Sequence, residues 1–185
     1  MSILVGRHAL EEAFKDLVAY VDVLIDAQAD LAKVHAPVFT YLLSPKQKSQ
    51  LDKICDDHGW EKPQRYAVEI NVFAIAHILK ARQNKDNVPV AFIGDVLAAA
   101  YNDFSVVRVN KTHSEQALFL NPPRKLQLEG TAWYAVAIVA IDGKDENGGR
   151  QLESRTAYHA NEAKMRAMER TPKGKNQQPQ GQKKK

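Results

Sequence analysis

The sequence predicts an α+β fold: N-terminal helices, then an antiparallel β-sheet meander with flanking helices, then a disordered basic tail. Three observations predict it. Apolar residues recur at helical spacing through the first part of the chain, and alternating, β-rich texture takes over after Asn102. Residues 171–185 are almost entirely Lys, Gln, Pro and Gly, which cannot bury enough apolar surface to order themselves.

From residue 9 to about 33, Leu10, Phe14, Leu17, Val21, Leu24 and Leu31 repeat in steps of three and four, with acidic side chains opposite. This is a long amphipathic helix, and Pro37 ends it because a proline forces its predecessor out of the helical region. Its apolar stripe suits packing on its own domain, or self-association through a coiled coil over residues 9–34. Ser44-Pro45-Lys46-Gln47 opens a second helix as a capping box with proline at its first position, and Gly59 closes it. Residues 60–65, containing Pro63, read as a linker. They divide a helical N-terminal module, residues 1–62, from an α+β domain, residues 66–170.

In that domain Tyr66, Val68 and Ile70 alternate as a short strand. From Asn71 the period turns helical, with Val72, Phe73, Ala76, His77 and Lys80 on adjoining faces. A short helix follows Pro89. Strands are expected at 105–109, 116–120, 125–129, 131–141 and 151–158. Asp142-Gly143 and Asn147-Gly148-Gly149 signal the last hairpin. A closing helix runs from 161 to about 170.

Composition removes several classes of function. No run of about 18 apolar residues exists to span a membrane, and the N-terminus lacks the apolar core of a signal peptide. The expected location is cytoplasmic, in a producing or target cell. A single cysteine, Cys55, rules out an internal disulfide and a Cys-rich zinc site. Net charge is +4, yet the tail alone holds five lysines and no acid, leaving residues 1–170 with 21 basic and 22 acidic groups. The second half is the mildly basic part, which permits a polyanionic partner without demanding one. Phosphate-cradling loops, dinucleotide turns, the His-Glu-x-x-His motif and the Gly-x-Ser-x-Gly elbow are missing. The six histidines show no metal-ligand spacing. No cofactor and no metal are therefore expected.

Two segments carry chemistry. Ala76-His77-Ile78-Leu79-Lys80-Ala81-Arg82 places an imidazole and an ammonium three apart on a helix, with a guanidinium nearby. A histidine between apolar residues serves as readily as a tethered core residue. Glu153-Ser154-Arg155-Thr156-Ala157-Tyr158-His159 ends a strand, where alternation puts Thr156 and Tyr158 on one side, Arg155 and Ala157 on the other. It reads equally as an exposed strand end.

In this order, the His-Ile-Leu-Lys-x-Arg helix, the next helix, the strands and the final Arg-Thr-Ala-Tyr resemble the barnase/EndoU/colicin/RelE-like nuclease superfamily. The closest likeness is to its phage and polymorphic-toxin branches, over roughly residues 66–165. Such toxins often carry a second histidine shortly after the first, where this chain has Arg82 or Gln83. The resemblance implies metal-independent endoribonuclease chemistry, in which the 2′-hydroxyl attacks the adjacent phosphate to give a 2′,3′-cyclic phosphate. It assigns the general base to His77, charge stabilisation to Lys80, Arg82 or Arg155, and phosphate orientation or proton relay to Thr156 and Tyr158. Arg108, Lys111, Arg124 and Lys125 become candidate RNA-backbone contacts, or simply solvated strand ends. Trp133 is assigned to packing, with base stacking as the alternative. Partners on this reading are RNA and an acidic immunity or antitoxin protein. Competing readings are a non-catalytic interaction or nucleic-acid-binding protein, such as a phage or virion adaptor, and a phosphate-handling transferase.

Overall fold

A computed structural model describes residues 7–34, 39–112, 116–144 and 148–170. The tail, Pro37 and the tip of the last hairpin lie outside the described residues.

Helix α1, Arg7–Asp26, buries Phe14, Leu17, Val18 and Val21 on the face the sequence marks as apolar. It stops earlier than its periodicity suggests. Gln28 takes a left-handed φ of 53°, and the Ala29 amide donates back to Leu24 O. A single 3-10 turn, Leu31–Lys33, capped by the Asp30 side chain, replaces the expected last turns. Strand β1, Phe39–Leu42, follows, an element the sequence did not announce.

Helix α2, Pro45–His58, starts with the full capping box between Ser44 and Gln47 and ends on Gly59 at φ 64°. Gln47 does more than cap. Its buried side chain accepts from the Tyr41 hydroxyl at 2.9 Å and donates to Asn102 O and Ser105 O at 2.8 and 3.0 Å. Strand β2, Ala67–Ile70, leads through the cap Asn71 into helix α3, Val72–Asp86, and helix α4, Val90–Ala100, follows Pro89. Strands β3 (Val106–Val109), β4 (Ala117–Asn121), β5 (Leu126–Leu128), β6 (Thr131–Lys144) and β7 (Arg150–Ala160) form the expected meander, and helix α5, Glu162–Glu169, closes it. Glu129 and Gly130, both at positive φ, form the two-residue turn between β5 and β6.

The sheet runs β1-β2-β7-β6-β4-β3, with β5 on β6. All pairings are antiparallel except β2 with β7. The fold is thus α+β with a mixed sheet: the antiparallel meander gains two strands from the helical half. One sheet face carries α1, α3 and α4 over the main core; the other carries α5 over Phe119, Val136, Ile138 and Ala160. Ala135–Ala140 is buried throughout because β6 is covered on both faces.

The boundary expected near Pro63 does not separate two cores. Phe14, Val18, Tyr41, Leu51 and Cys55 share one cluster with Ile75, Leu97 and Leu152. The stripe of α1 offered for self-association over residues 9–34 packs on α4 and α3. At Gly94 of α4 the two helices lie close: an added Cβ would sit 2.9 Å from Lys15 Cγ and 3.1 Å from Lys15 Cα.

Candidate functional site

The parallel β2–β7 pairing builds the site. It runs only from Val68 opposite Leu152 to Glu69 opposite Glu153. The chain then leaves β2, and α3 packs along the part of β7 that has lost its strand neighbour. A seam between helix and strand results, with a hollow at each end.

A bulge sets which β7 side chains reach it. Ile138 faces Thr156 but Val139 faces Ser154, so Arg155 is the extra residue. Ser154 and Ala157 consequently both turn to the main core, Ser154 bonding the buried Tyr101 hydroxyl at 2.8 Å. Arg155 is exposed at the bulge and pairs with Glu153 at 3.1 Å. The simple alternation expected for this strand therefore fails at 155, although Thr156 and Tyr158 still share a side.

At the C-terminal end of α3, a hollow of about 410 Å³ is lined by Arg82, Trp133, Tyr158, His159, Ala160, Asn161 and Lys164. Arg82 gets there from the inner face of α3, two turns after the buried Ile75. Its guanidinium carbon lies 5.4 Å from the centre of the Tyr158 ring, and the Lys164 ammonium lies at the same distance. The Tyr158 hydroxyl reaches Met168 Sδ at 3.0 Å. Burial raises the phenol's pKa, against the opposing pull of Arg82, so it stays protonated at neutral pH. The His159 ring meets Trp133 edge-on at 4.7 Å and Phe92 at 5.9 Å. Asn161 caps α5 by accepting from the Lys164 amide at 2.9 Å. Among the described residues, no carboxylate lines this hollow. Glu162, nearby, is held by the Tyr134 hydroxyl at 2.8 Å and kept below the usual carboxylate range, chiefly by that bond.

At the N-terminal end of α3, Glu69, Asn71, Phe73, Ala74, Glu153, Ser154 and Arg155 line a second hollow of about 290 Å³. The Asn71 side-chain oxygen Oδ1 accepts from the Ala74 amide at 3.0 Å.

Of the residues singled out in the sequence, Arg82 and Tyr158 come together. Thr156 is half-buried on the same side of β7 as Tyr158, and Arg155 lies at the other end of the seam. His77 and Lys80 are exposed on the outer face of α3, about 140° round the helix from Arg82 for His77, and neither is among the described residues that line this hollow. Arg108 pairs with Glu169 on α5, and the Lys111 amide donates to Met168 O. Lys125 sits 4.4 Å over the Tyr134 ring and 3.8 Å from Glu162, while Arg124 is exposed. Sequence reasoning gave no role to His159, Asn161 or Lys164, because nothing in their spacing signals that α5 folds back against Tyr158.

Among the described residues, no helix is long and apolar enough to cross a membrane. No family model, no curated protein and no solved structure matches the chain. The likeness to the nuclease superfamily therefore rests on the motifs alone.

Proposed function

We propose that the protein is a metal-independent endoribonuclease that works in the hollow around Tyr158. The observation that carries this reading is the company of groups there: an imidazole, a phenol, a guanidinium and an ammonium, with no carboxylate among the described lining residues. Two fixed cations favour a phosphodiester and oppose a carboxylate substrate. Arg82 and Lys164 flank the phosphate over the Tyr158 ring and stabilise the charge that builds on its oxygens. His159 takes the proton from the 2′-hydroxyl as that oxygen attacks phosphorus. The bond to the leaving 5′-oxygen breaks, and Tyr158, protonated at neutral pH, supplies the proton that oxygen needs. The products are a 2′,3′-cyclic phosphate and a 5′-hydroxyl.

This assignment moves the base from His77 to His159 and keeps Arg82 and Tyr158 in the roles the motifs imply. An acidic inhibitor protein is the partner of matching charge. Binding RNA without cleaving it is the second reading, favoured by one observation: the His159 ring is gripped by two aromatic neighbours.

Expression of the intact chain in a bacterium separates the two. On the nuclease reading growth stops and RNA is degraded, and Arg82→Ala restores growth at equal protein level. Growth at the wild-type rate with RNA intact, from a folded and abundant chain, refutes cleavage.

A further inference from the structure

The second hollow of the seam is unsuited to phosphate. Glu69 and Glu153 are direct neighbours across the β2–β7 pair, and both line it. Arg155 answers the Glu153 charge at 3.1 Å, while Glu69 has no ion-pair partner among the described residues. A phosphate here would face a net excess of negative charge. A metal ion is equally ill served, since no group of three or more metal-binding side chains is gathered among the described residues.

What the hollow offers instead is an aromatic face and a set of hydrogen-bonding edges. Phe73, one of its lining residues, is 54% exposed, so much of its ring is open to a ligand. The carboxylate of Glu69 accepts and cannot donate. The Asn71 side-chain nitrogen has no hydrogen-bond partner among the described residues and can donate, while its side-chain oxygen is the atom spent on the helix cap. Stacking on an aromatic ring with edge recognition by a carboxylate and an amide is how single-stranded bases are read. The spacing fits the same chain: from Arg155 to Tyr158 the strand rises roughly 10 Å, so a nucleotide whose phosphate lies at Tyr158 has a neighbour within reach of Phe73.

We infer that this hollow is a base-selective subsite: it takes a nucleobase bearing an exocyclic amino group, stacked on Phe73 and bonded to Glu69, and rejects uracil. Cytosine presents an amino donor where uracil presents a carbonyl oxygen, and that oxygen would meet the Glu69 carboxylate with two acceptors face to face. The inference rests on RNA being the ligand of the first hollow.

The test uses the intact protein with 2′-O-methyl oligonucleotides, which bind but cannot be cleaved by 2′-hydroxyl attack. Fluorescence anisotropy compares oligocytidylate with oligouridylate, at one salt concentration. The expected result is roughly tenfold tighter binding of oligocytidylate, lost in Glu69→Gln, with Phe73→Ala weakening oligocytidylate alone. Equal affinity for the two polymers, or a preference unchanged in Glu69→Gln, overturns the subsite while leaving the phosphate hollow standing. Free cytidine and uridine, which carry no phosphate, are then titrated while the amide resonances of Phe73 and Ala74 are followed. Shifts with cytidine alone support the subsite even if Arg82→Ala has abolished oligonucleotide binding. Identical responses to both nucleosides, including none, overturn it.

Discussion

At the scale of single residues, the account turns on two histidines. His159 lies in the hollow with Tyr158, Arg82 and Lys164, whereas His77 stands on the solvent face of α3. An acid–base group contributes about 10²–10⁴-fold to rate, so His159→Ala should lower RNA cleavage within that range. Under the same conditions His77→Ala should retain activity within about threefold, well short of that loss. Initial rates on one labelled oligonucleotide decide it, with circular dichroism to confirm folding. The reverse pattern would return the base to the helix motif. Gln47 tests the fold at this scale. Its side chain satisfies Tyr41, Ser44, Asn102 and Ser105 together, in buried or part-buried surroundings. Gln47→Ala strands several of these groups at about 1–3 kcal/mol each, so a loss of about 3 kcal/mol or more is expected from urea unfolding. Gln47 was legible as a capping residue because the box is a local pattern. Its grip on the loop after α4, 55 residues away in the chain, was not. The Arg155 bulge was hidden for the same reason: register is a property of two strands, and β7 read by itself does not show how it meets β6.

At the scale of elements, boundaries set by local stereochemistry were readable. Ser44 and Gly59 bracket α2, and Asn71 caps α3, where the sequence suggests. Strand β1 was not readable, because four residues carry too little periodicity to register. The length of α1 was overestimated, since its apolar spacing persists past the point where Gln28 turns left-handed. The α1–α4 contact supplies a prediction that runs against propensity. Replacing Gly94 in mid-helix by Ala should favour the isolated helix by about 1 kcal/mol. Here the new Cβ meets the backbone of Lys15 and must push α1 away. Overpacking of that kind costs about 1–3 kcal/mol, so Gly94→Ala should lower the thermal midpoint. A raised midpoint would mean that α1 is held less firmly than the packing implies.

At the scale of the whole molecule, the composition shift near Pro63 was real but misleading. The first 62 residues differ in charge and texture from the rest, yet Phe14, Tyr41 and Leu51 lie in the same core as Ile75 and Leu152. The sequence shows where character changes; it does not show which faces meet. Residues 66–170 alone should therefore lack a cooperative thermal transition, having lost β1 from the sheet and α1 from the top of α3 and α4. A sharp transition in that fragment would restore the two-module view. The hollow at Tyr158 has the same origin. Arg82, Trp133, His159 and Lys164 converge only because β2 pairs with β7 in parallel for two residues and then releases α3 along its edge. The most direct test is to incubate the purified protein with RNA in the presence of a chelator and identify the fragment ends. The account predicts 2′,3′-cyclic phosphates and 5′-hydroxyls, produced at undiminished rate in chelator and lost together in Arg82→Ala and His159→Ala. Intact RNA, or fragments ending in 5′-phosphates, would contradict it.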